Sequence, residues 1–101
     1  MMRYLTLDMI KKQCRIESEF DEDDVLLEAL GEGAEDFLEQ HLNTPLDDIV
    51  AQNGGVLPGN LHAALLILTD YMYDNPGSGD TQDIPLAFFV LVKPWMRYTV
   101  A

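Results

Sequence analysis

The chain has 101 residues and a formal net charge of −12, with eighteen acidic residues against six Lys and Arg. This length gives room for one modest hydrophobic core, and 48% hydrophobic residues is the content of a folded domain. The scarcity of basic side chains argues against binding to nucleic acid or an anionic membrane surface, and a single cysteine rules out an intrachain disulfide and a thiolate zinc cluster.

The first predicted helix follows Thr6, whose side chain can cap it. Its apolar residues recur at spacings of three and four, at Leu7, Ile10 and Cys14. The pattern stops near Arg15, so this helix should be short.

The second predicted helix begins at the acids of residues 21 to 24, which favour the positive end of the helix dipole, and reaches Leu42. Gly31 and Gly33 lie within it, where each costs up to about 1 kcal/mol relative to Ala. We expect a neighbouring helix to approach closely at both glycines, the alternative being a bend. The acids within this helix are assigned to its solvent face: Glu28, Glu32, Glu35, Asp36 and Glu39.

Residues 46 to 57, after Pro45, are predicted as a long loop. The turn pair Asn53-Gly54 stands between two short apolar pairs, so a small β-hairpin is the alternative. A loop of this length in a small domain is often functional. Asn53 and Gly54 are therefore candidate interface residues on an arm that orders on assembly.

Two further helices are predicted after Pro58. The third predicted helix is apolar on most sides, which is typical of a central helix, and turn residues stop it at positions 74 to 80. Pro85 can open the last helix. Residues 86 to 92 are bulky and β-branched and also suit a buried strand, and Pro94 ends either element.

We favour the helix there and predict an all-α fold. The chain is expected to be a single domain over residues 1 to 101, built as a small bundle of about four helices. The long loop, with or without its hairpin, lies between the second and third helices.

No chemical signature of an enzyme or a metal site is present. The acids before Val25 resemble the start of a calcium loop, but Val25 and Leu26 stand where a ligand and a glycine are required. His41 and His62 lie on different helices with no second ligand at helical spacing. Cys14, on an apolar stripe, is interpreted as a core residue. We expect no catalytic residue, no cofactor and no metal.

The aromatic end of the chain is a candidate interface: Trp95, Met96, Arg97 and Tyr98. Large aromatic residues and Arg are the types that commonly anchor protein interfaces. The alternative is that Trp95 folds back to cover the core.

Charge is distributed unevenly. Residues 16 to 92 hold seventeen acids and no Lys or Arg, whereas the basic residues lie near the two ends. A solvated, self-repelling surface explains this pattern. The basic ends of one subunit could also meet the acidic middle of another in a head-to-tail ring. Neither a signal peptide nor an apolar run of the ~20 residues needed for a membrane span is found, so we expect a soluble, unexported protein.

The elements follow one another in a recognisable order. Their residues are Leu7-x-x-Ile10-Lys11-x-x-Cys14-x-Ile16, then Asp21 to Asp24 before Leu26-Leu27 and the small-residue helix to Leu42, then Leu57-Pro58-x-x-Leu61-x-x-Ala64-Leu65-Leu66-Ile67-Leu68-x-x-Tyr71-x-Tyr73-x-Asn75, Ile84-Pro85, and Leu91 with Lys93-Pro94-Trp95-x-Arg97. From about Thr6 to Tyr98, this order resembles the small head-tail connector proteins of tailed bacteriophages and prophages.

The resemblance implies a virion structural protein that forms a homo-oligomeric ring under the portal protein at the head vertex. The ring would receive the stopper or tail-completion protein, and copies would stay in the host cytoplasm before assembly. DNA would pass through the ring without specific binding, and the acids would repel its phosphates.

A second hypothesis is an acidic regulatory protein that mimics DNA and neutralises a basic partner. It explains the charge equally well. It does not explain the basic, aromatic end of the chain or the proline-punctuated order of helices.

Overall fold

The structure is a computed structural model that describes residues 2–75 and 84–96. These residues form five α-helices and a final 3-10 turn, without a β-strand, so the all-α prediction is confirmed. The elements are α1 (Leu7–Cys14), α2 (Asp24–Leu42), α3 (Leu46–Gln52), α4 (Gly59–Asp74), α5 (Leu86–Val92) and the 3-10 turn Lys93–Trp95.

Capping residues set the ends of the first two helices. The Thr6 hydroxyl accepts a hydrogen bond from the Met9 backbone N–H at 3.2 Å, which confirms the predicted start of α1. Arg15 and Asn43 close α1 and α2 in the left-handed conformation, with φ of 60° and 53°. Short side chains such as that of Asn adopt this conformation readily, and Arg15 is the less usual case.

The segment after Pro45 is helical, so the prediction of a long loop with a possible hairpin is wrong there. Leu46 and Ile49 are both buried, and their spacing of three places them on one face of α3. A seven-residue helix is marginal alone, and this burial supplies the stabilisation that the local sequence lacks. The turn glycines Gly54 and Gly55, with φ of 70° and 87°, follow the residue that ends α3, Asn53.

Helix α4 is the central element, as its apolar composition predicted. It packs against α1, α2 and α5. Leu61, Ala64, Leu65 and Leu68 on α4 are almost fully buried in the main hydrophobic cluster. Burial on several sides is what a helix with little amphipathic character requires.

The last helix adds an aromatic group to this core. Phe88 and Val92 on α5 are fully buried and four residues apart, as the helical interpretation of this segment predicts. The Phe88 ring contacts Phe37 and His41 of α2 at centroid distances of 5.8 and 5.9 Å. Pro94 lies within the 3-10 turn that continues from α5.

The two glycines of α2 have different surroundings. A Cβ at Gly31 would collide with Met2 Sδ and lie 3.1 Å from Ile10 Cδ1 of α1, so the predicted close approach of a neighbouring helix is confirmed there. A Cβ at Gly33 would meet nothing within 4 Å, and the prediction is wrong at that position within this chain. Helix α2 continues through both residues.

No helix in the described ranges combines the length and apolar composition that crossing a membrane requires.

Candidate interface surfaces

A buried carboxylate anchors the start of the chain. Glu35 is 1% exposed, and its two oxygens accept hydrogen bonds from the backbone N–H groups of Arg3, Tyr4 and Leu5 at 2.7 to 3.1 Å. Hydrogen bonds to a charged acceptor are about twice as strong as neutral ones. The assignment of Glu35 to the solvent face is therefore wrong, and this acid has a structural role.

A second carboxylate, Glu39, joins the same segment to α3. Its Oε1 accepts from Arg3 Nη1 at 2.7 Å and from the Leu46 backbone N–H at 2.9 Å. The hydrogen bond from Arg3 is the main cause that lowers the pKa of Glu39. Nearby, the Tyr4 hydroxyl donates to Asp47, and burial followed by this bond raises the pKa of Tyr4 to about 12.

Other acids at the start of α2 are also bonded within the chain. Lys11 is 5% exposed, and its Nζ lies 2.8 Å from Asp24 Oδ1 and donates to the Ser18 carbonyl at 3.2 Å. The Tyr73 hydroxyl donates to Asp23 Oδ2 at 2.6 Å. These contacts tie α1 and α4 to α2, so part of the acidic sequence stabilises the fold.

The described residues contain no group of three or more His, Cys, Asp and Glu placed to hold a metal ion. Cys14 is half-buried, and burial, followed by a hydrogen bond to Asp70, raises the pKa of its thiol to about 12. A thiol with so high a pKa is a poor nucleophile near neutral pH.

The two histidines contact other side chains. His41 stacks on Phe37 with a centroid distance of 6.0 Å, and His62 Nε2 lies 3.2 Å from Met9 Sδ.

The predicted interface residues fall into three places. Trp95 and Met96 are half-buried and pack against the core cluster, so these two residues are not part of an exposed tail. Asn53 and Gly54 are exposed in the turn after α3, where Asn53 Nδ2 donates to the Val56 carbonyl at 3.0 Å. Arg97 and Tyr98 lie outside the described residues.

An apolar surface that the sequence interpretation missed lies on α5. Leu86 and Val90 are 76% and 60% exposed, on the opposite side of the helix from Phe88 and Val92. Lys93 is exposed and continues the same face in helical conformation, with φ −53° and ψ −45°. The sequence shows that residues 86, 90 and 93 share one face of a helix, but residues 86 to 92 are all apolar, so it does not show which face is exposed. We call these three residues the α5 face.

A second exposed apolar surface lies at the start of α2. Val25 is 85% exposed, more than any other large hydrophobic residue described, and Leu26 is 47% exposed. The exposed acids Asp21 and Glu22 precede them. We call these four residues the α2 face. Exposed apolar side chains grouped beside charged ones are typical of surfaces that bind another protein.

Comparison with known proteins identifies the family. A model of the phage gp6-like head-tail connector proteins matches residues 4–88, from the anchored N-terminal segment to the middle of α5. No curated protein and no solved structure matches the chain significantly. Proteins of this family are non-enzymatic structural components of phage virions at the head-tail junction. The match covers most of the chain, and the protein belongs to the phage gp6-like head-tail connector family.

Proposed function

We propose that copies of this protein form a ring at the head-tail junction, docked on the portal protein. The observation that carries this proposal is the apolar α5 face, where Leu86 and Val90 are exposed although the same helix buries Phe88 and Val92 completely. Exposed apolar side chains that share one face of a helix are typical of a surface that binds another protein. In a connector, this surface is available for contacts within the virion.

The proposed ring forms part of the channel through which the genome passes. Acids such as Asp36 and Asp48 are exposed, and the described residues between 16 and 92 contain no Lys or Arg. Carboxylates repel phosphate, so DNA can move past them without adhering. Replacing Asp36 and Asp48 with Lys should slow DNA ejection or packaging. Unchanged DNA movement in that variant would argue against a channel-lining role for these acids.

The side of the proposed ring away from the portal receives the stopper or tail-completion protein.

We propose that the end of the chain contacts the portal or a neighbouring subunit, because aromatic residues and Arg are strong interface anchors. The residues of this contact are Trp95, Met96, Arg97 and Tyr98. Arg97→Ala with Tyr98→Ala tests this contact without removing Trp95 from the core. We expect fewer copies on portal-containing heads, and wild-type occupancy would contradict the proposal.

Deletion of the gene tests the function as a whole. Without the connector, heads should accumulate that do not join tails, and expression of the chain from a plasmid should restore complete virions. Complete, infectious particles from the deletion strain would contradict the proposal. Purification of bound partners separates the rival hypothesis, since a DNA mimic would retain a nuclease or transcription factor in place of portal and tail proteins.

A further inference from the structure

We propose that neighbouring subunits of the ring meet head to tail, with the α5 face of one copy on the α2 face of the next. This inference rests on the proposed ring and adds the two surfaces that build it. It commits to a second copy of this chain as the occupant of the α5 face.

The geometry of α5 supports the first surface. At about 100° per residue, positions 86, 90 and 93 fall within an arc of about 60°, on the side of the helix away from Phe88 and Val92. Leu86 and Val90 are 76% and 60% exposed, whereas Phe88 and Val92 are fully buried. A surface helix normally places charged or polar residues on its outer face. Here the outer face is apolar and ends in a single positive charge, Lys93.

The start of α2 supplies a surface of matching character. Val25 and Leu26 are apolar and exposed, and Asp21 and Glu22 before them are acidic and exposed. One turn further along α2, Ala29 is small and exposed, between the half-buried side chains of Glu28 and Leu30. A side chain from another molecule can therefore approach the backbone of α2 at Ala29.

Charge favours this pairing over contacts between identical faces. Lys93 makes no ion pair with any residue that the structure describes, and the α2 face carries only negative charge. Two α5 faces would bring Lys93 against its own copy, and two α2 faces would bring Glu22 against acids. The α5 face on the α2 face instead pairs opposite charges around an apolar centre. Such a heterologous contact uses two different surfaces, which is the kind that closes into a ring.

Cysteine crosslinking on assembled heads tests the contact. In a Cys14→Ala background, Val25→Cys and Val90→Cys are introduced together, and particles are treated with a short bismaleimide. A head-to-tail ring should give a ladder of covalent multimers on a denaturing gel. Each single-cysteine variant should remain monomeric.

The matched control combines Val90→Cys with Val56→Cys, because Val56 is 62% exposed but belongs to neither face. It should give no ladder. Absence of a ladder from the Val25/Val90 pair, or dimers from Val90→Cys alone, would overturn the proposed contact while leaving the ring itself in place. Heads that contain no copy of this chain would instead overturn the proposed function.

A charge exchange gives a second readout of the same pairing. Lys93→Glu should lower the number of copies on heads, and adding Glu22→Lys to that variant should restore part of it. Both variants should keep the wild-type circular dichroism spectrum, because the two residues are exposed. A loss with Lys93→Glu that Glu22→Lys deepens would contradict the pairing.

Discussion

The carboxylate of Glu35 accepts a hydrogen bond from the backbone N–H of Leu5 at 3.0 Å, in a fully buried position of the fold. The same group accepts from Arg3 and Tyr4, so one side chain satisfies three consecutive backbone donors. The start of the chain is thereby fixed against the middle of α2, and Met2 is held over Gly31.

Glu35→Ala should be strongly destabilising, because it leaves buried N–H groups without an acceptor. We expect a loss of about 3 kcal/mol or more in the free energy of unfolding, measured by urea denaturation. Asp36→Ala is the matched control. Asp36 is the next residue in the sequence, but its side chain is 69% exposed, and its Oδ1 lies 3.7 Å from Arg3 Nη2. That variant should lose less than about 1 kcal/mol. Equal losses would refute the anchoring role of Glu35.

The two glycines of α2 should respond differently to alanine. Gly33→Ala meets nothing within 4 Å and should raise the free energy of unfolding by about 0.5–1 kcal/mol through helix propensity. Gly31→Ala gains the same propensity but must displace Met2 and press on Ile10. It should therefore gain less or lose stability. Thermal unfolding of both variants decides the matter, and a larger gain at Gly31 would contradict the packing described.

Glu39 should make stability depend on pH at the acidic end. Its folded pKa is lowered from the ordinary value of 4.5, mainly by the hydrogen bond from Arg3. The stabilisation is therefore present above about pH 4.5 and is lost as the pH falls through the folded pKa. Because the Glu39 side chain is 24% exposed, we expect at most about 1 kcal/mol.

The comparison is between the wild type and Glu39→Gln in urea unfolding at a series of pH values. Their difference in stability should shrink as the solution becomes more acidic. Arg3→Ala should remove most of this pH dependence, because the hydrogen bond from Arg3 is the largest cause of the lowered pKa of Glu39. A constant difference between wild type and Glu39→Gln across this range would argue against the assignment.

Cys14 should react slowly with alkylating reagents in the folded protein. Burial and the bond to Asp70 raise its pKa to about 12, so little thiolate exists near neutral pH. Unfolding in urea should restore the reaction rate of an ordinary thiol. Asp70→Asn should lower the pKa only partly, because burial is the larger cause. The rate of alkylation of Cys14 by iodoacetamide measures this reactivity. Equal rates in the folded and unfolded protein would contradict the raised pKa of the thiol.

Much of the fold was predictable because local signals and burial agree. Thr6 caps α1 as its sequence position suggested, and the apolar stripe of α4 became the centre of the core. Helix α3 was missed because Asn53-Gly54 is a strong local turn signal, whereas the burial of Leu46 and Ile49 depends on distant residues.

The surfaces were harder to predict than the helices. Sequence periodicity assigns an acid between apolar residues to solvent, and it cannot show that Glu35 receives backbone donors thirty or more positions away. The exposure of Leu86 and Val90 likewise depends on which side of α5 turns to α4. Aromatic composition pointed to Trp95, which the structure places against the core. Its role as an interface residue stays a prediction.

Cryo-electron microscopy of the head-tail junction in mature virions would reveal whether this protein forms the proposed ring. We expect a ring of copies of this chain beneath the portal, with α5 of each copy against α2 of the next. A junction in which the portal contacts the tail proteins without any density for this chain would contradict it.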